Sequence, residues 1–367
     1  MTKKTKTSIM FIIFKKYIVS VIINVDYETK EAGDFHMMKR FIGVMALALV
    51  MILAACGGEG GSEEASGSSG SDSKSVVFGT GGTSGTYYPI GGALKPVFEE
   101  SDLIDNVTVE STGASVANIQ NIKDNLNQLA IIMSDVGYDA INGTGQFEGS
   151  EVEVKAMAGM YQNVVQVVAL KDSGITSIAD LEGKKVGVGK VGSGVEQSAK
   201  KVLEAEDLTY DDLSKVTHTG YADSVQEMKN GNLDAAFFTS GVPNSNITDL
   251  MQQTDINFVE IKGETADKLM EKYPFYKSNT IEAGDEAKYG LENAVETVGI
   301  QNMIIVSSDL SEDTVYEMTK RYYEYLGTEE VSVGALKQLG RDEIAKGLIA
   351  PLHPGAKKFY EEQGILE

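Results

Sequence analysis

Two α/β lobes around a cleft is the architecture the sequence predicts, on three observations. Short β-branched runs alternate with segments of helical period, the pattern of βα units and mostly parallel sheets. Strand after strand ends in a Gly/Ser/Thr cluster where a helix should begin. Strand pattern also returns late, at Asn302–Val306, after a second βα series, so the chain should cross between two lobes and come back.

In order, Val76–Phe78 reads as a strand, followed by a glycine-rich loop and a helix from about Tyr87 to Glu99. Val107–Glu110 is a second strand, and Val116, Ile119, Ile122 and Leu126 recur at helical spacing after it. Leu129–Met133 is a third strand and Val164–Leu170 a connecting one. The second series is a strand at Lys185–Val188, then a helix from Gly194 with Val195, Ala199, Val202 and Leu203 on one face. Next comes a helix marked by Ala222, Val225 and Met228 and stopped by Asn230-Gly231-Asn232. Strands follow at Asp234–Phe238 and Phe258–Ile261, and helical segments fill Glu312 to the end. The expected organisation is lobe 1 from 76–168 plus 290–367 and lobe 2 from 169–289.

Composition narrows function. The 367 residues carry a net charge of −22, against nucleic acid, whose affinity comes from Lys and Arg on phosphates. One cysteine, Cys56, and three histidines, His36, His218 and His353, nearly exclude a Cys/His nucleophile or a His-rich metal site, and no metal or cofactor is expected.

The N-terminus reads as an address. Lys39-Arg40 precedes Phe41–Leu53, an uncharged apolar run of thirteen residues, too short to span a bilayer at about 20 residues. Leu53-Ala54-Ala55-Cys56 then looks like a bacterial lipobox, in which Cys56 is acylated, against the plainer reading of a spare cysteine. The expected division is a signal peptide at 37–55, a Gly/Ser/Glu tether at 56–75, and an over-long gene start at 1–36; a second membrane segment is the alternative for the last.

Five loops share one device: Gly79–Pro89, Ser111–Ser115, Ser134–Tyr138, Gly189–Glu196 and Thr239–Asn244. Free N–H groups at a helix start favour an anion, glycines let backbone approach it, and hydroxyls add donors. Such loops lie at the carboxyl ends of parallel strands, where ligands bind. Any one is more simply a turn or a cap; five together point to a site. Beyond Cys56 the arginines are Arg321 and Arg341, outside all five loops, so backbone amides, hydroxyls and Lys190 must do the work of an arginine clamp. Gly187–Gly192 also matches G-x-G-x-x-G with Asp207 about 20 residues on, a dinucleotide pattern, but Asp207 sits in an acidic turn-like stretch. Asp135 reads as an N-cap or a ligand hydrogen bond rather than a general base.

Phe78–Leu94 (FGTGGTSGTYYPIGGAL) resembles the opening signature of TAXI-type solute receptors of TRAP transporters. So do Ser134–Gly149, Asp172–Glu196, Asp234–Pro243, Glu271–Ile281 and Pro351–Tyr360, in order. The resemblance implies a type II periplasmic-binding-protein fold closing on a small solute, usually glutamate, glutamine or a dicarboxylate. It implies delivery to an ion-gradient-driven TRAP permease and no catalysis; with the lipobox-like Leu53–Cys56, the expectation is an extracytoplasmic, lipid-anchored monomer. By motif position it implies cleft roles for Gly82, Thr83, Tyr87, Ser134, Ser193, Gly194, Glu196, Thr239 and Gly241, and Lys190 is read as a charged contact to the solute. Departures from the pattern are Val195 for a hydroxyl residue, Lys190 for a small one, and Asn244-Ser245-Asn246 for a proline turn. An ABC-type receptor with the same fold is the alternative.

Overall fold

The computed structural model describes residues 75–284 and 288–366. The expected over-long start (1–36), signal peptide (37–55) and acylated Cys56, and all of the expected tether but Ser75, lie outside the described residues. Ser75, assigned to the tether, opens β1 and pairs with Asn106.

The first half contains β1 (Ser75–Gly79), α1 (Tyr87–Glu99), β2 (Asn106–Glu110), α2 (Ser115–Lys123), β3 (Leu129–Met133) and α3 (Ser134–Asn142). The long β4 (Lys155–Leu170) leads into the second half: β5 (Lys185–Gly187), α4 (Gly194–Ala205), β6 (Lys215–Thr217), α5 (Tyr221–Lys229) and β7 (Ala235–Ser240). Then come α6 (Ser245–Met251), β8 (Ile256–Val259), α7 (Gly263–Lys272) and β9 (Tyr276–Ile281). The long β10 (Val295–Val306) runs back, and α8 (Glu312–Leu326) and α9 (Pro354–Glu362) follow it.

The strands form one sheet in the order β2-β1-β3-β10-β4-β7-β5-β6, with β8 on β4 and β9 on β10. The trios β2-β1-β3 and β6-β5-β7 are parallel, and each is joined antiparallel by a long strand, β10 or β4. The two long strands pair with each other from Gly299↔Val164 to Val306↔Lys155, with register shifts between Gln301 and Met303 and between Ile304 and Ile305. Every residue of β3 and β7 is buried, which is why β3 and the Ala235–Phe238 part of β7 read as continuous apolar runs rather than alternating ones.

Helices cover the strands through narrow apolar stripes. In α1 these residues are Tyr87, Ile90, Gly91, Leu94 and Phe98. Gly91 permits close docking: a Cβ there would stand 2.7 Å from Thr80 Cγ2 and 2.8 Å from Val109 Cγ1. Leu126, expected on the face of α2, instead lies beyond its end and is 61% exposed, because Asn125 turns left-handed (φ 57°) and breaks the helix. The strands containing Val164–Leu170 and Asn302–Val306 are longer than expected, and β6 and β9 were not foreseen. The tail is less helical than predicted: α8 and α9 are separated by two short 3₁₀ turns, Gly334–Lys337 and Arg341–Glu343. Among the described residues no helix is long and apolar enough to cross a membrane.

Candidate ligand-binding site

The loops at the carboxyl ends of β1, β2, β5, β6 and β7 surround a cavity of about 280 Å³. The first turns of α1, α2, α4 and α5 line it through Gly81–Tyr87, Thr112–Ser115, Ser193–Val195 and Thr219–Asp223. First-turn N–H groups lack intrahelical partners, so four partially positive helix ends meet one space.

The loops are held from behind. Gly85 N donates to Gly82 O at 2.9 Å and Ser111 Oγ to Gly81 O at 2.9 Å, while Thr112 Oγ1 lies 3.1 Å from Thr80 O. Buried Asn118 ties the second loop to the sheet: it accepts from Thr112 Oγ1 at 2.6 Å and donates to Thr80 O and Ile131 O, each at 2.7 Å. Ser193 caps α4 by accepting from Glu196 N at 3.2 Å, while Gly192 N donates to Glu196 Oε2 at 2.7 Å. Tyr221 Oη donates to Thr239 O at 2.8 Å.

The floor is polar and comes from the long strands. Tyr87 Oη donates to Asn302 Oδ1 at 2.5 Å, Asn163 Nδ2 to the same oxygen at 3.0 Å, and Asn302 Nδ2 to Tyr161 O at 3.0 Å. Burial raises the pKa of the Tyr87, Tyr161 and Tyr221 hydroxyls, so they remain neutral. Three buried polar atoms of lining residues lack a hydrogen bond: Asn163 Oδ1, Thr239 Oγ1 and Tyr161 Oη, the last facing Thr86 without normal geometry.

Of the sequence-predicted residues, Gly82, Thr83, Tyr87, Lys190, Ser193, Gly194 and Thr239 line the cavity. Ser134, Glu196 and Gly241 are not among the lining residues. Ser134 Oγ donates to Gln301 O at 2.8 Å, and a Cβ on Gly241 would stand 3.5 Å from Thr86 Oγ1. The Glu196 carboxylate braces its own loop, 3.1 Å from Lys200 Nζ and 3.7 Å from His218 Nδ1. The third loop, Ser134–Tyr138, contributes nothing to the wall. Its place is taken by Thr219–Asp223, whose signal was a Thr-Gly pair between a β-branched run and a helix. Tyr161 and Asn163 were also missed; polar residues inside a long apolar strand are the trace they leave.

Lys190 is exposed at the edge, its Nζ 3.9 Å from where a Gly220 Cβ would sit, with Asp223 Oδ2 equally near that point. Among the described residues no arginine or histidine lines the cavity. Asp207 ends α4 in a left-handed turn (φ 56°) instead of standing at a strand tip, so the Gly187–Gly192 loop lacks the acidic partner of a dinucleotide site. Among the described residues no cluster of three His, Cys, Asp or Glu is placed to hold a metal.

The two halves meet over the cavity. Val116 N donates to Gly192 O at 3.2 Å, and Asn246 Nδ2 donates to Ser84 O at 2.8 Å. A Cβ on Gly194 would stand 2.8 Å from Met133 Sδ, so glycine lets α4 close against β3.

Two α/β lobes joined by long strands, with a cleft at the strand ends, make the type II periplasmic-binding-protein fold. Residues 78–364 match the NMT1-like family, and the chain belongs to it. PhnD1 of Prochlorococcus marinus, in complex with methylphosphonate, is similar with a TM-score of 0.50 at 10% identity, over 80% of this chain and 99% of that one. The alkanesulfonate-binding protein SsuA of Xanthomonas axonopodis pv. citri, bound to MOPS, gives 0.44 at 12% identity over 78% and 83%. An ancestral arginine-binding protein bound to arginine gives 0.43 at 15% identity over 79% and 97%. At 10% identity the likeness to the methylphosphonate complex is one of fold alone.

Proposed function

We propose that this protein is an extracytoplasmic receptor, lipid-anchored through Cys56, that captures a small acidic solute of the glutamate, glutamine or dicarboxylate class and passes it to an ion-gradient-driven TRAP permease without catalysis. The observation that carries this reading is the convergence of four helix N-termini on one cavity whose lining includes a single ammonium, Lys190. About 280 Å³ is at the small end for ligand sites and suits a metabolite of a few carbons. The TAXI-like motifs support the TRAP assignment, and the lipobox-like Leu53–Cys56 supports the anchor. Closure of lobe 1 (76–168 plus 290–367) on lobe 2 (169–289) buries the solute. Gly82, Thr83, Tyr87, Lys190, Ser193, Gly194 and Thr239 are its proposed contacts, with Ser134, Glu196 and Gly241 supporting them.

A thermal-shift screen of amino acids, dicarboxylates, phosphonates, sulfonates and NAD tests the solute. A ligand at 100 times its Kd adds about 2.7 kcal/mol of stability. A shift with glutamate, glutamine or a dicarboxylate is expected; a shift confined to sulfonates, phosphonates or NAD sinks the acidic-metabolite reading. Uptake in vesicles with the cognate permease tests delivery: transport should follow an imposed ion gradient, and a requirement for ATP would replace TRAP by the ABC alternative.

A further inference from the structure

The two halves are tied across the cavity by a side chain that does not line it. Ser84 and Ser240 are among the lining residues, and Asn244 and Asn246 are not. Asn246, in the first turn of α6, belongs to the Asn244-Ser245-Asn246 segment that departs from the proline turn of the TAXI-type pattern. The partners of both amides settle which way each one points. Asn244 caps α6 and accepts from Asn246 N at 2.9 Å; a backbone N–H requires an oxygen, so the accepting atom is Oδ1. Asn246 Nδ2 lies 2.9 Å from that oxygen and 2.8 Å from Ser84 O. Two acceptors around one terminal atom identify it as the amide nitrogen. One of its hydrogens therefore stays within the second half of the molecule. The other crosses 162 positions of chain to the glycine-rich loop of the first half.

This donor is held from behind. Asn244 is 4% exposed; its Nδ2 donates to Ser240 Oγ at 2.8 Å and its backbone N to Tyr289 Oη at 2.6 Å. Tyr289 Oη donates in turn to Gln166 Oε1 at 2.6 Å, which fixes the network to β4. We propose that Asn246 is a latch across the mouth of the site: on closure its amide engages the Ser84 carbonyl and slows escape of the bound solute. The inference rests on the proposed closure of lobe 1 on lobe 2 and not on the identity of the solute, which the latch does not touch. Opening has to break this bond, whereas the solute reaches the open form before the bond is made. The latch therefore acts on dissociation and not on association.

Chasing radiolabelled L-glutamate from the full-length protein with excess unlabelled glutamate measures the release rate. The net worth of an ordinary hydrogen bond corresponds to about a 3- to 10-fold change, so Asn246→Ala should release glutamate about 3- to 10-fold faster with association nearly unchanged. Asn246→Asp should release it at least as fast, because a carboxylate there faces the Ser84 and Asn244 oxygens, although an acid in the first turn favours the helix itself. In both variants the backbone N of residue 246 still donates to Asn244 Oδ1, so α6 keeps its cap. A merely structural role would lower the melting temperature of the unliganded protein and leave the release rate unchanged. That outcome, or slower association at an unchanged release rate, overturns the inference. Hydrogen–deuterium exchange of the unliganded protein gives a readout that needs no solute. The Gly81–Tyr87 segment should exchange faster in both variants, and exchange equal to that of the wild type overturns the latch. Faster exchange, together with no binding of any acidic solute in the thermal screen, keeps the latch and overturns the acidic-solute reading.

Discussion

Replacing Lys201 with methionine removes the cation from a buried ion cluster that joins the two halves of the molecule. Lys201 reaches from α4 to α3, placing Nζ 2.7 Å from Asp135 Oδ2 and 3.3 Å from Asp139 Oδ2. The side chains of Lys201 and Asp135 are 8% and 0% exposed, and Tyr276 Oη stands 3.3 Å from the same Asp135 oxygen. Burial opposes the ammonium charge, but the two carboxylates outweigh it and hold the Lys201 pKa above its ordinary value. The Lys201 ammonium is therefore charged at neutral pH, and its contribution is lost only as pH rises beyond about 10.4 through the raised folded value. An exposed pair is worth at most about 1 kcal/mol. Breaking a buried one leaves an uncompensated charge and costs about 3–5 kcal/mol. The near-zero exposure selects the second figure, because water cannot reach Asp135 to replace the lysine. Methionine keeps the stem, so packing loss is small. Urea unfolding at neutral pH should show Lys201→Met destabilised by about 3 kcal/mol or more, and Lys201→Met/Asp135→Asn recovering part of that loss. If the pair forms as the lobes close, the same 3 kcal/mol weakens solute binding about 100-fold. A single-variant loss below about 1 kcal/mol, or no recovery in the double variant, would refute the reasoning.

Gly355→Ala should be severely destabilising, by several kcal/mol on the scale of a core clash, because its Cβ would overlap the Glu312 carbonyl and lie 2.7 Å from Tyr316 N; the melting temperature reads it out. Lys190→Ala should weaken the best acidic ligand modestly, about 3- to 10-fold, since its exposed ammonium is screened by solvent, and the effect should shrink in high salt; an affinity unchanged at low salt removes Lys190 from the site. His353 caps α9 by accepting from Gly355 N at 3.3 Å, and burial lowers its pKa. Its stabilisation is thus present above the ordinary value of about 6.5 and lost as pH falls through the lower folded one. The melting temperature should drop between pH 7 and 5 by less in His353→Asn, which caps without titrating in that range.

How far the fold was legible depends on where its signals are stored. Continuous apolar runs such as Leu129–Met133 mark strands buried on both faces, and the 87, 90, 94, 98 spacing marks α1, so both were readable. The three-residue β6, none of it fully buried, and the polar-rich β9 take their strand character from neighbours already in place, and local sequence does not hold that information. The site divides in the same way. Gly/Ser/Thr clusters at helix starts carry their chemistry locally, and four of the five loops singled out line the cavity. Ser134–Tyr138 has the same composition and does not line it, because α3 turns that loop toward Gln301 and Lys201 instead.

The sequence by itself determined the alternation of strands and helices, the amide- and hydroxyl-rich character of the strand ends and the shortage of cationic side chains near them. Those properties follow from residue type and short-range spacing. Only the tertiary structure decided that Asn163 and Tyr161, from mid-strand, form the floor, that Glu196 faces its own loop, and that Lys201 meets Asp135 across 66 positions of chain. Each depends on the direction in which a side chain leaves a strand or helix after the two long strands have paired. That pairing joins residues more than a hundred positions apart, which no local pattern records.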